Sequence, residues 1–163
     1  MEWISNLFSG TALALLGAVL ATFLAGTGSA KGVGIAGEAA AGVLTEDPGK
    51  FGQTLLLQAL PGTQGIYGFI IAFLILLKIG IIGGNPVAIS TGTGFQLLLA
   101  SLPISIVGLT SGIAQGRASA ACMGVIAKRP EEIGKAMMYP AMVETYAVLS
   151  LLISFLMWMG INV

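Results

Sequence analysis

Residues 133–161 read IGKAMMYPAMVETYAVLSLLISFLMWMGI, and they contain only two charged side chains, Lys135 and Glu144. A helix needs roughly 20 predominantly apolar residues to cross the hydrocarbon core of a bilayer. This stretch is longer than that, so it is predicted to be a membrane-spanning helix. Glu144 lies about midway along it, where an ionised carboxylate is costly.

Three further apolar segments precede this one, and together they indicate an all-α membrane protein of four transmembrane helices. The predicted spans cover residues 7–44, 51–82, 93–127 and 133–161. Of the 163 residues, 56% are hydrophobic and only 9% are charged, whereas soluble domains carry about 25% charged residues. A soluble fold of this length could not bury so much apolar surface, because a large part of any small domain stays in contact with water.

The composition excludes several kinds of functional site. The chain has no histidine, and seven basic residues balance seven acidic ones, so neither a histidine metal site nor a nucleic-acid-binding surface is expected. Cys122 is the only cysteine, which rules out an intrachain disulfide, and we interpret it as a small packing residue. Glu2 stands where a signal peptide carries basic residues, so the first apolar segment is interpreted as a span that is not removed.

Two polar breaks in the apolar sequence mark an internal duplication. They read TEDPGK at residues 45–50 and KRPEE at residues 128–132, and their prolines, Pro48 and Pro130, lie 82 positions apart (130 − 48). The sequence therefore predicts two tandem copies of a helical hairpin, residues 1–84 and residues 85–163. Without a gap, the same offset relates Gly26 to Gly108, Ser29 to Ser111, Gly34 to Gly116, Gly42 to Gly124, Thr63 to Thr145, and Phe73 to Phe155.

Glycine and alanine are frequent in the first and third predicted helices. Small residues let helix backbones approach closely in lipid, where van der Waals contact drives helix association. Because the small positions extend round much of both helices, we expect an oligomer in which these two helices line an inner wall.

Basic residues crowd the two polar breaks, whereas Lys78 lies near the opposite end of the spans. The positive-inside rule therefore places both hairpin loops in the cytoplasm and both termini outside. The basic residues in or beside the breaks are Lys50, Lys128, Arg129 and Lys135.

Glu144 is the candidate functional carboxylate. At its depth a carboxylate must be neutralised or coordinated, so we expect it to hold a proton or a cation. The alternative is a structural glutamate that is protonated and hydrogen-bonded between helices. The 82-residue offset pairs Glu144 with Gly62 (144 − 82), so only the second hairpin carries a carboxylate at this position.

The second and third spans are expected to supply further oxygen atoms at this depth. Pro61 removes one backbone hydrogen bond from the second span, and a carbonyl freed there can become an ion ligand, as in the interrupted helices of transporters. The polar side chains near this depth are Thr63, Gln64, Tyr67 and Gln115.

Together with Glu144 these groups form an all-oxygen set, which hard cations prefer. One carboxylate neutralises a monovalent ion but not a divalent one, so the set favours Na⁺ over Ca²⁺ or Mg²⁺. The alternative for Gln64 and Gln115 is hydrogen bonding between helices.

Four motifs resemble those of the proteolipid subunit (also called c or K) of the V-type ATPases, and the resemblance covers nearly the whole chain. A carboxylate only in the last helix of two duplicated hairpins is also typical of that family. The sequence is similar in particular to the sodium-transporting bacterial branch. The motifs are Gly26-Thr27-Gly28-Ser29-Ala30-Lys31-Gly32, Leu60-Pro61-Gly62-Thr63-Gln64-Gly65, Ser111-Gly112-Ile113-Ala114-Gln115-Gly116 and Met142-Val143-Glu144-Thr145-Tyr146.

The resemblance implies a rotor ring of identical subunits in a bacterial plasma membrane, with the second and fourth helices in its outer layer. It also implies that Tyr67 hydrogen-bonds the glutamate, and that the transported Na⁺ has five ligands, all of which match here. These ligands are Glu144, Gln115, Gln64, Thr63 and the backbone carbonyl of Leu60.

The resemblance further implies partners around the ring. Each Glu144 is expected to carry one ion between two half-channels of the stator subunit (a or I), where an arginine favours the empty carboxylate. ATP hydrolysis on the soluble head would turn the ring through central-stalk subunits on the cytoplasmic side. The chain itself would be a non-catalytic subunit in contact with lipid, without a nucleotide or organic cofactor.

Two other functions stay open on the sequence alone. One is a proton-carrying ring of the same family, in which Glu144 is protonated and the glutamines only form hydrogen bonds. The other is a small four-helix transporter that uses Glu144 for substrate–proton exchange, although such transporters usually place the carboxylate in an early helix and lack a tandem repeat.

Overall fold

The computed structural model describes residues 8–163, which form long helices joined by short turns. The predicted start of the first span at residue 7 and the interpretation of the N-terminal residues lie outside the described part. Within this described part, four segments are long and apolar enough to cross a membrane, and we call them the first to fourth spans. They are Gly10–Glu46, Pro48–Lys78, Thr91–Lys128 and Pro130–Gly160. The prediction of an all-helical protein with four spans is therefore confirmed.

The first and third spans are single uninterrupted helices, Gly10–Glu46 and Thr91–Lys128. Each begins at a serine whose hydroxyl accepts the backbone N–H three residues further on, at 3.2 Å for Ser9 and 3.1 Å for Ser90. A serine at this position supplies an acceptor that the first turn of a helix lacks. The two helices therefore start with the same local chemistry.

The hairpin loops at the other end of these helices also match. Asp47 and Arg129 leave the helical conformation with φ of −142° and −141°. A proline follows each of them and opens a 3₁₀ turn, Pro48–Lys50 in one hairpin and Pro130–Glu132 in the other. The loops repeat one structure, as the internal duplication predicts.

The second and fourth spans differ at one point. The second consists of the helix Phe51–Ala59, a 3₁₀ turn over Leu60–Gly62 and the helix Thr63–Lys78. The fourth continues as one helix, Ile133–Gly160, after its opening turn. The break in the second span lies where Pro61 predicts it. Pro103 and Pro140 lie within the helices of the third and fourth spans without breaking them, so a proline alone does not determine the break.

The helix of the second span ends at Lys78, four residues earlier than the predicted end at residue 82. Gly80 follows with φ of +73°, a left-handed conformation that favours glycine and terminates helices. Ile81 and Ile82 lie in the turn beyond it. They are as apolar as the span itself, so hydropathy alone could not separate them from it.

The first and third spans lie side by side through their glycines. A Cβ atom at Gly28 would lie 2.5 Å from the carbonyl oxygen of Gly108. One turn further on, Gly32 faces the backbone of Gly112, and Gly116 faces Gly32 in return. The glycines therefore serve the close backbone approach that the sequence predicts.

The second span packs against the first, where Gly68 lies against Ala21 and Ala25. The fourth span is joined to the third by a hydrogen bond of 3.2 Å from the Ile104 N–H to the Ser154 hydroxyl. Two apolar clusters occupy the ends of the bundle, one towards the termini and one towards the hairpin loops. The polar residues at the break in the second span lie between these clusters.

Candidate functional site

The fourth span presents Glu144 as a half-buried side chain on an uninterrupted helix. Within residues 8–163 the ion pairs are Lys50 with Asp47 and Lys135 with Glu132, and all four residues belong to the loop ends of the spans. Glu144 thus has no basic partner in the described part of the chain. In an apolar surrounding its charge must be met by hydrogen-bond donors, a proton or a cation.

Two side chains from other spans donate to the carboxylate. The Tyr67 hydroxyl of the second span bonds to Glu144 Oε1 at 2.6 Å. The Gln115 Nε2 of the third span bonds to Glu144 Oε2 at 3.2 Å. Each carboxylate oxygen therefore accepts one hydrogen bond, and bonds to a charged acceptor are stronger than those between neutral groups.

A second amide extends this network into the interior. The Gln64 Nε2 donates to the Gln115 Oε1 at 2.5 Å, and both glutamines are 0% exposed. The Gln64 Oε1 is buried and has no hydrogen-bond partner among the described residues. A buried amide oxygen without a partner is unfavourable, so this atom is an acceptor available to a donor or a cation.

The break in the second span holds the last two predicted ligands, Leu60 and Thr63. The Thr63 hydroxyl donates to the Leu60 carbonyl at 3.1 Å, and the Thr63 backbone N–H bonds to the same oxygen. The 3₁₀ turn and the threonine hydroxyl therefore both engage this carbonyl in the structure, and its role as an ion ligand stays a prediction. An ion could reach the carbonyl only if the hydroxyl turned away.

The predicted site residues fall into two groups. Gln64, Gln115, Glu144 and Tyr67 form one hydrogen-bonded chain across three spans. The Leu60–Thr63 pair lies in the turn that precedes Gln64. The structure thus brings all six residues to the middle of the bundle.

One contact at this level was not predicted from the sequence. The Ser29 hydroxyl of the first span accepts the Gly65 N–H of the second at 2.7 Å. The 82-residue repeat relates Ser29 to Ser111, but that relationship gives no sign of a partner in the second span. This hydrogen bond depends on how the first span packs against the break in the second, which only the three-dimensional structure shows.

The chemistry of the arrangement suits a singly charged cation or a proton. Glu144 supplies one negative charge, and the nearby amides, hydroxyls and carbonyl are neutral oxygen donors. Among residues 8–163 no three or more histidine, cysteine, aspartate or glutamate side chains gather where they could hold a metal ion. The described residues therefore do not offer the ligand set that a transition metal or a divalent ion prefers.

Comparison with known proteins gives two kinds of match. Residues 16–75 and 98–157 each match the family model described as the C subunit of ATP synthase. The two stretches are displaced by the same 82 positions (98 − 16) that relate the two polar breaks. The family model thus recognises both hairpins in the register that the internal repeat predicts.

Two relatives are similar over most of this chain. One is the K subunit of the V-type sodium ATPase of Enterococcus hirae, which is 50% identical over 157 residues, 96% of this chain and 97% of the relative. The other is the K subunit of the A-type ATP synthase of Methanocaldococcus jannaschii, which is 41% identical over 149 residues, 91% of this chain and 63% of the relative.

Proposed function

The chain belongs to the family of the ATP synthase C subunit, and from this premise we propose that it is the rotor-ring subunit of a V-type ATPase that carries Na⁺ across the membrane on Glu144. The resemblance to the c/K proteolipids of the sodium-transporting branch, expected from the motifs, is confirmed by the family match and the full-length relative. The chain is accordingly an integral membrane subunit without catalytic activity of its own.

The observation that carries the proposal is the buried amide pair beside the carboxylate. Gln64 and Gln115 are fully buried, and the Gln64 Oε1 has no partner within residues 8–163. A proton on Glu144 requires one hydrogen-bond acceptor, whereas Na⁺ requires several oxygen ligands. Two buried amide oxygens beside one carboxylate therefore support a cation more than a proton.

Ion binding would rearrange the hydrogen bonds of the site. The bond between the amides of Gln64 and Gln115 would be exchanged for contacts from both amide oxygens to Na⁺. The Thr63 hydroxyl would turn from the Leu60 carbonyl, which gives the ion two more oxygens. Glu144 would supply the neutralising charge, and the Tyr67 hydroxyl would hold the carboxylate in place.

Transport then follows from the charge of the site. Glu144 is half-buried, and Val148, one turn further along the same face of the fourth span, is 46% exposed, so the carboxylate lies near the surface of the subunit. With Na⁺ bound the site is neutral and can face lipid, whereas the empty carboxylate is costly there. A basic group in the stator subunit (a or I), expected to be an arginine, would favour the empty carboxylate and release the ion.

The same proposal fixes the orientation of the ring. Basic residues beside both hairpin loops support a cytoplasmic position for the loops in a bacterial plasma membrane, with both termini outside. Central-stalk subunits would contact the loops, and ATP hydrolysis on the soluble head would turn the ring. The first and third spans, which approach most closely through glycine, would line its inner wall.

A proton-carrying ring is the second candidate. Tyr67 and Gln115 already hold both oxygens of Glu144 without a cation, and in this candidate one of the two groups would turn to accept the O–H of the protonated carboxyl group. The family assignment supersedes the hypothesis of a small four-helix transporter.

Equilibrium binding of radioactive Na⁺ to the purified ring at constant pH separates the two candidates. We expect saturable binding of one ion per chain, which Glu144→Gln abolishes. A ring that shows no saturable Na⁺ binding would contradict the sodium proposal and support the proton-carrying ring.

A further inference from the structure

We infer that Ser29, in the first span, is a positioning residue for the ion site, because its hydroxyl caps the helix that begins with Thr63 and Gln64. The inference rests on the proposed ion-carrying function. The Ser29 Oγ accepts the Gly65 N–H at 2.7 Å, and Gly65 directly follows Gln64. Ser29 is 7% exposed, so water does not compete for this bond.

The start of this helix needs an acceptor from elsewhere. The first N–H groups of any helix have no carbonyl partner four residues earlier within it. A polar residue at the N-cap usually accepts the N–H of the second or third helical residue. Here the N-cap is Gly62, which makes no side-chain cap. Gly65 is the third residue of the helix Thr63–Lys78, and Ser29 supplies the missing acceptor from the neighbouring span.

Close packing holds the serine in register with the break. A Cβ atom at Gly65 would lie 3.3 Å from the Ser29 hydroxyl oxygen, and one at Gly32 would lie 2.8 Å from the Cβ of Pro61. On its other side the first span is fixed by the contact of Gly28 with Gly108. The Ser29 hydroxyl is therefore held next to Gly65, and the first span supports the second span at its break.

The duplicated hairpin supplies an internal comparison. The 82-residue offset relates Ser29 to Ser111 (29 + 82) and Gly65 to Ala147 (65 + 82). The fourth span has no break around Ala147, and the Ser111 hydroxyl is buried without a partner among the described residues. The hydrogen bond thus accompanies the broken helix, and it is not a general feature of serines at this position in the repeat.

Loss of the hydrogen bond from Gly65 to Ser29 should affect Na⁺ binding more than protonation of Glu144. Without the Ser29 hydroxyl, the partly buried Gly65 N–H would lose its acceptor, and the start of the helix would shift to relieve that cost. Such a shift moves Gln64 relative to Gln115. A cation bound by both amides depends on their relative position. Protonation of Glu144 depends on the carboxyl group itself, so it should persist.

The test compares rings of Ser29→Ala and Ser111→Ala with the unaltered ring. Radioactive Na⁺ binding is measured at constant pH, and carbodiimide labelling of Glu144 is measured without Na⁺. We expect Ser29→Ala to weaken Na⁺ affinity by about tenfold while labelling without Na⁺ is unchanged. Ser111→Ala, which removes an unpartnered hydroxyl, should match the unaltered ring in both measurements.

Three results would overturn the inference alone, provided that the unaltered ring binds Na⁺. They are unchanged affinity in Ser29→Ala, an equal loss of affinity in Ser111→Ala, and a loss of both binding and labelling in Ser29→Ala.

If the ring of Ser29→Ala does not assemble, Ser29→Cys keeps the volume and replaces the hydroxyl by a weak acceptor. Weaker Na⁺ binding in that variant supports the inference, and unchanged binding overturns it. An unaltered ring without saturable Na⁺ binding overturns the proposed function and this inference together.

Discussion

The Tyr67 hydroxyl donates a hydrogen bond of 2.6 Å to Glu144 Oε1, which joins the second span to the fourth at the carboxylate. Tyr67 belongs to the first hairpin and Glu144 to the second. The first hairpin has Gly62 at the position of the carboxylate, but it contributes Tyr67 and Gln64 to the site. The first hairpin thus adds hydrogen-bonding side chains to a site whose carboxylate and other amide, Gln115, belong to the second hairpin.

Tyr67→Phe tests the contribution of this bond. The substitution removes a donor to a carboxylate while Gln115 still holds the other oxygen, so Na⁺ affinity should fall by about three- to tenfold. Tyr139→Phe is the matched control, because Tyr139 is 68% exposed on the fourth span. Na⁺ binding to the two purified rings is the measurement. Equal Na⁺ affinities in both variants would show that the Tyr67 hydroxyl does not contribute to Na⁺ binding.

Glu144→Gln should abolish transport while the ring still assembles. The amide keeps the size of the side chain and part of its hydrogen bonding, but it cannot neutralise a cation or release a proton. Na⁺ uptake into vesicles that contain the whole ATPase measures transport, and electrophoresis of the intact ring measures assembly. Glu131→Gln, an exposed change in the loop, is the control. Normal transport by an assembled Glu144→Gln ring would contradict the role of this carboxylate.

Gln115→Ala should weaken Na⁺ affinity by at least about tenfold. The side chain is the bridge between Gln64 and Glu144, so its removal deletes one oxygen ligand and leaves the amide of Gln64 without its partner. Gln96→Ala is the control, since Gln96 is exposed on the same span. A direct binding titration decides the matter, and unchanged affinity in Gln115→Ala would exclude Gln115 as a ligand.

Gly32→Ala should destabilise the protein, because a methyl group there would press on the Gly112 backbone and on the Pro61 side chain. Overpacking of this kind costs about 1–3 kcal/mol. Gly34→Ala is the matched control, since a Cβ atom at Gly34 meets nothing within 4 Å. Thermal unfolding of both variants in detergent is the measurement. Equal melting temperatures would show that the first and third spans can separate without cost.

Much of the architecture follows from local sequence chemistry. Pro48 and Pro130, 82 positions apart, predict two equivalent loops, and both open a 3₁₀ turn. Pro61 predicts the break in the second span, whereas Pro103 and Pro140 leave the helices of the third and fourth spans unbroken. The end of that span was predicted less well, since the turn at Gly80 depends on a backbone conformation that hydropathy does not report.

The hydrogen bonds of the site were less predictable than its members. Spacing along the helices places Gln64, Gln115 and Glu144 at one depth, but it does not determine which amide donates to which oxygen. The bond from Thr63 to the Leu60 carbonyl, and the one from Gly65 to Ser29, depend on how the turn closes and how two spans pack. Such contacts arise from the tertiary structure, where several partners compete for each polar atom.

Carbodiimide labelling of the detergent-solubilised ring, with and without Na⁺ across a range of pH, tests the central claim most directly. The reagent attacks a protonated carboxyl group in an apolar setting, so labelling reports whether Glu144 carries a proton. The account predicts that Na⁺ protects Glu144 at constant pH, because the ion and the proton compete for one carboxylate. Labelling of Glu144 that Na⁺ does not change would contradict the account and identify a proton-carrying ring.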